Sequence, residues 1–132
     1  MNRAVIAIGS NINPQENVTD ALNYITKSFS LVKKSRFIYT EPLGFKNQPN
    51  FLNGAVLIET ASGETDIITK LKEIEQNLGR ERKGRKDGPR RIDLDLVVYN
   101  GRIIDNDVFE RDFLRQSIRQ VLPDFTFHRE NG

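Results

Sequence analysis

The sequence contains no cysteine. That excludes disulfides, thiol nucleophiles and thiolate metal sites. It contains one histidine, His128. A single imidazole cannot build a multi-histidine metal centre, and its place near the end of the sequence argues against a Ser-His-Asp triad. No apolar run approaches the length needed to cross a bilayer. The opening stretch MNRAVIAIGS lacks the long apolar segment and small-residue cleavage site of a secretory signal. The expected location is therefore the cytoplasm. Neither G-x-x-x-x-G-K-[ST] nor G-x-G-x-x-G occurs. Acid–base or metal chemistry must then rest on carboxylates, and anion binding on Lys, Arg and backbone amides.

What is present fits one domain over residues 1–132, large enough to bury its own core. Hydrophobic residues make up 37% and charged residues 29%, a folded rather than disordered composition. The net charge is only +2, but it is unevenly spread. Arg80, Arg82, Lys83, Arg85, Lys86, Arg90 and Arg91 crowd one segment against Glu81 and Asp87. Such a cluster suits polyphosphates, nucleic acid or an anionic surface.

Residues 3–9 read as a buried strand. Asn13-Pro14-Gln15-Glu16 is a helix start, with Asn as N-cap, Pro at the first helical position and Glu three after the cap. Val18, Ala21, Leu22, Ile25 and Phe29 follow at helical spacing. Residues 31–40 and 52–60 read as strands on either side of a Pro- and Gly-bearing loop, 41–50. Ile67, Ile68, Leu71, Ile74 and Leu78 mark a second helix that stops at Gly79. The basic loop leads into a strand over 92–99. Leu114, Ile118, Val121 and Leu122 mark a third helix, ended by Pro123, and 125–128 suggests a last short strand. The expected fold is α+β: a ferredoxin-like β-α-β-β-α-β sandwich with a helical appendix. Its sheet is mostly antiparallel, and its helices pack on one face.

The 92–99 strand, IDLDLVVY, carries two aspartates, although Asp is depleted in strands. Alternation puts Ile92, Leu94, Leu96 and Val98 on one face and Asp93, Asp95, Val97 and Tyr99 on the other. The two carboxylates then sit roughly 7 Å apart at their Cα atoms. They repel unless cations lie between or near them. Mg²⁺ suits the pair, because it takes one or two carboxylates and completes its shell with water and phosphate oxygens. A pair of metals also suits it. Taken separately, the aspartates read as solvated groups pairing with Arg90 and Arg91, and the basic loop as a solvated surface segment. Taken together, acids directly after an arginine-rich loop suit a Mg-bound nucleoside triphosphate. Asn53 offers donors and an acceptor to the edge of a flat heterocycle. Phe51 or Phe113 suits stacking on such a ring.

The run LKEIEQNLGRERKGRKDGPRRIDLDLVVYNG resembles the signature of the 6-hydroxymethyl-7,8-dihydropterin pyrophosphokinase family. AIGSN at 7–11 and TEPLGFKNQPNFLNGAV at 40–56 add to the resemblance, in the family's order. The resemblance implies transfer of the β,γ-pyrophosphoryl unit of ATP to the pterin hydroxymethyl oxygen, with two Mg²⁺ ions and release of AMP. It implies Asp93 and Asp95 as metal ligands and Arg80, Arg82 and Arg90 as catalytic phosphate contacts, with Lys83 assisting. Glu75 and Arg111 would belong to the ATP site. Thr40, Leu43 and Asn53 would bind the pterin edge, and Phe51 and Phe113 would sandwich its ring. After the DLDL strand the family's proline–histidine segment is shortened here, and GRIIDNDVFERDF stands in its place. The alternative is a weak or inactive relative that binds pterin or nucleotide. An RNA-binding domain is disfavoured, since no [KR]-G-[FY]-[GA]-F-V-x-[FY] run occurs. A monomer is expected, with no nucleic-acid or membrane partner.

Overall fold

A computed structural model describes residues 1–42, 47–79 and 92–128. The elements, in chain order, are β1 (Asn2–Ser10), α1 (Pro14–Ser28), β2 (Ser30–Lys34), β3 (Ile38–Thr40), β4 (Phe51–Thr60), α2 (Glu64–Asn77), β5 (Asp93–Tyr99), β6 (Arg102–Ile103), a 3₁₀ turn (Asn106–Phe109) and α3 (Asp112–Val121). Strand order in the sheet is β2-β4-β1-β5-β6, and β3 also pairs β4. Every pairing is antiparallel. This is the expected ferredoxin-like α+β arrangement, with β1 at the centre.

Alternation along β1 separates two apolar layers. Ala4, Ile6 and Ile8 join Val18, Ala21 and Ile25 of α1, Ile67, Leu71 and Ile74 of α2, and Ile92, Leu94 and Leu96. Val5 lies on the opposite face with Ala55, Leu57, Val97, Val98 and the α3 residues Leu114, Ile118 and Val121. The two helices of the β-α-β-β-α-β unit thus share one face, and the appended α3 covers part of the other. Full burial of a Leu or Ile contributes about 1.5–3 kcal/mol. Both layers therefore matter to stability.

Four local readings change. Ile6 pairs Leu96 while Val5 pairs Val98, so β5 carries an extra residue at that point. A bulge of this kind resets the alternation. Val98 consequently joins the α3 layer, and Tyr99 packs against the α1/α2 layer. The single strand expected over 31–40 is two strands, interrupted at buried Ser35. The Ser35 hydroxyl accepts from the Ala55 amide (2.8 Å), and Ser35 N–H donates to the Ala55 carbonyl (2.9 Å). Residues 125–128 are not a strand. The Phe125 amide donates to the Leu122 carbonyl, turning the chain back after α3. Phe125 and Phe127 then meet edge-to-face at 5.0 Å against the α3 layer. Finally, Asn13 is the N-cap of α1 and Pro14 opens the helix, but Asn13 is left-handed (φ 39°) and its side chain makes no cap bond. Asn tolerates that conformation better than most residues.

β6 is a strand beyond those expected from the sequence. Asn100 and Gly101 both have positive φ (48° and 82°), the geometry of a two-residue hairpin turn joining β5 to β6. The second helix ends as expected: Gly79 has φ 76°, and its amide donates to the Gln76 carbonyl.

Candidate active site

Three central strands build a stepped surface on the α3 side of the sheet. Gly9 of β1 stands opposite Asn53 of β4 and opposite Asp93 of β5. One step along, Ala7 stands between Ala55 and Asp95. A further step on, Val5 stands between Leu57 and Val98, and this row is buried with α3. Directly opposed residues in a sheet share a face. The first two rows therefore form an open shelf, with Asn53 at one side and the two aspartates at the other. Two strand spacings separate Asn53 from Asp93, roughly 10 Å. Asp93 is half-buried and Asp95 is exposed.

The Asn53 side is ordered by side-chain contacts. Thr40 stands opposite Phe51, and Ile38 stands opposite Asn53. The Asn53 Nδ2 donates to the Thr40 hydroxyl. Thr40, Phe51 and Asn53 thus share the shelf's face. Phe113, in the first turn of α3, packs against the same apolar layer as Ala7. It therefore lies on the shelf's side of the sheet.

The aspartate side is braced from below. Glu75 of α2 is buried, and its Oε2 accepts from the Leu94 amide at 2.8 Å. Leu94 lies between the two aspartates, and β6 pairs Val98 and Tyr99 farther along β5. Arg111 sits at the N-cap of α3, with its guanidinium 3.5 Å from Asp107. Leu43, Arg80, Arg82, Lys83, Arg85, Lys86, Arg90 and Arg91 lie outside the described residues.

Sequence reading gave no role to two residues that the structure puts at the shelf. Gly9 lies under the Asn53 side chain. Asn11 is buried, and its Nδ2 donates to Gln48 Oε1 (2.7 Å) and to the Pro49 carbonyl (3.2 Å). It ties the end of β1 to the chain entering β4. Both residues fall in AIGSN, so the motif was visible, but their partners depend on cross-strand register. Among the described residues, no group of three or more His, Asp or Glu gathers in metal-binding fashion. The donor set at the shelf is the carboxylate pair.

The fold and the acid-bearing strand define an α+β protein with two carboxylates on one open face of its sheet. The chain matches the family model for 7,8-dihydro-6-hydroxymethylpterin-pyrophosphokinase over residues 5–123. It belongs to that family. It is 34% identical to the 2-amino-4-hydroxy-6-hydroxymethyldihydropteridine pyrophosphokinase of Haemophilus influenzae, over 92% of this chain and 82% of the relative. Identity to the Bacillus subtilis protein of the same name is 36%, over 91% and 78%. It is also 33% identical to the folic acid synthesis protein fol1 of Schizosaccharomyces pombe, but spans only 18% of that protein's length. It spans 26% of a folate synthesis bifunctional protein from Arabidopsis thaliana.

Proposed function

We propose that this chain transfers the pyrophosphoryl group of ATP to 6-hydroxymethyl-7,8-dihydropterin, giving AMP and the pterin diphosphate for folate biosynthesis. The observation that carries the reading is the shelf itself: a strand asparagine and two carboxylates on one face, two strand spacings apart. Family membership over residues 5–123 supports it independently.

In this reading the pterin edge meets Asn53 and Thr40, and its ring lies between Phe51 and Phe113. Its hydroxymethyl group then points across Gly9 toward Asp93 and Asp95. The hydroxymethyl oxygen attacks the β-phosphorus of ATP, the bond from that phosphorus to the α-phosphate bridging oxygen breaks, and AMP leaves. The hydroxyl proton passes to water or a phosphate oxygen. The reaction needs in-line placement and charge neutralisation more than covalent catalysis. Phosphate contacts are assigned to Arg80, Arg82, Lys83 and Arg90, with Arg111 near the nucleotide.

The residues present fit Mg²⁺. Asp93 and Asp95 supply hard oxygen ligands on one face, and Mg²⁺ takes one or two carboxylates and completes its shell with water and phosphate oxygens. Bound there, Mg²⁺ neutralises charge on the phosphates. Asp93 and Asp95 would hold the ion, and Asn53 would fix the acceptor's orientation.

The test is direct. Purified protein with Mg-ATP and 6-hydroxymethyl-7,8-dihydropterin is expected to form AMP and pterin diphosphate in equal amounts, with no AMP when pterin is omitted. Formation of ADP instead, or binding of both ligands without turnover, would overturn the reading.

A further inference from the structure

A Cβ placed on Gly9 would lie 2.5 Å from Asn53 Oδ1, and 3.6 Å from Asn53 Cγ. The next nearest atom is the Leu52 carbonyl oxygen at 3.9 Å, an ordinary contact. The conflict is therefore with one atom, the Asn53 amide oxygen. That amide is not free to turn away without loss, because its Nδ2 donates to the Thr40 hydroxyl. Gly9 itself is a strand residue outside the positive-φ set. Backbone conformation does not demand glycine there; space does.

We propose that Gly9 is a specificity-positioning residue: its missing side chain is the space in which the Asn53 carboxamide lies across β1, so that the amide presents a fixed donor–acceptor pattern to the pterin edge. The proposal rests on the reading of Asn53 as the pterin-recognising group. It adds the device that sets the amide's orientation. Asn53 is pinned from one side by Thr40 and seated from below by the bare Cα of Gly9. Gly9→Ala would lift the carboxamide and break its hold on Thr40. The clashing atom is the end of a side chain, so the sheet survives while the recognition geometry does not.

The test compares Gly9→Ala, Asn53→Ala and the double variant, by pterin affinity in the presence of an unreactive ATP analogue. A misplaced hydrogen-bonding amide is expected to cost about tenfold in affinity. Gly9→Ala and Asn53→Ala should each show that loss, and the double variant no more than either, because with the amide gone the added methyl meets nothing closer than the Leu52 carbonyl. The Asn53 side-chain amide signals of ¹⁵N-labelled protein, assigned by their loss in Asn53→Ala, should shift in Gly9→Ala without any ligand. Losses that multiply in the double variant would mean that the methyl blocks the ligand directly, and would overturn the proposal. So would unmoved amide signals. Unchanged pterin affinity in Asn53→Ala would instead remove the reading of Asn53 on which the proposal rests, and the proposal with it, even where the amide signals move.

Discussion

Removing the Glu75 carboxylate tests how the aspartates are held. Its Oε2 accepts from the Leu94 amide at 2.8 Å, within a buried environment between α2 and β5. In Glu75→Ala that amide loses its acceptor inside the protein. An unsatisfied buried donor costs about 1–3 kcal/mol. The deleted γ-methylene costs about 0.8 kcal/mol when buried. Together these give a loss of about 3 kcal/mol. For a chain of 132 residues the entropy of unfolding converts that to a fall in Tm of about 10 °C. Glu75→Gln keeps an oxygen acceptor and loses only the charge assistance, so it should fall by less than half as much. Thermal denaturation followed by circular dichroism reads both. Turnover should fall with Glu75→Ala too, since Leu94 lies between Asp93 and Asp95. A Glu75→Ala protein that melts within about 2 °C of the parent but binds ATP poorly would refute this reasoning. Glu75 would then be a nucleotide contact rather than a brace.

Two further outcomes follow from the same geometry. Asn11→Ala removes donors to Gln48 and the Pro49 carbonyl; it should raise hydrogen exchange at 47–50 and cost about 1–2 kcal/mol, while unchanged exchange there would show that Asn11 does not hold the segment. Gly54→Ala would put a Cβ 2.7 Å from three carbons of the Phe37 ring; the ring must shift, and a loss of about 1–3 kcal/mol in a urea melt is expected, against no loss if the ring swings aside freely.

The sheet and the shelf were legible in unequal degree. Period-two alternation in IDLDLVVY was enough to put Asp93 and Asp95 on one face, because that depends on the strand's own pleat. The β5 bulge was not legible, because an extra residue shows only against the register of β1. That is why Val98 and Tyr99 exchange faces. The split at Ser35 was hidden for a similar reason: a serine hydroxyl replacing a ladder bond looks like any strand serine until its partner, Ala55, is known. Asn100-Gly101 is the opposite case, a hairpin signal carried by the dipeptide itself. In the site, Asn53 stood out because a strand Asn needs partners. Gly9 did not stand out, since its role is an absence of atoms beneath a side chain on another strand. The family resemblance carried the arginine assignments, which no local periodicity supplies.

The central claim is that Asn53 and the aspartate pair serve opposite ends of one shelf. Asp95→Asn tests it most directly, with pterin binding and AMP formation measured on the same protein. Asp95 is exposed at the edge of the shelf, so the fold should tolerate the change. The account predicts that AMP formation falls at least about a hundredfold, the scale of about 3 kcal/mol in the barrier, while pterin affinity stays within about twofold of the parent. Turnover near the parent's rate in Asp95→Asn would contradict the account.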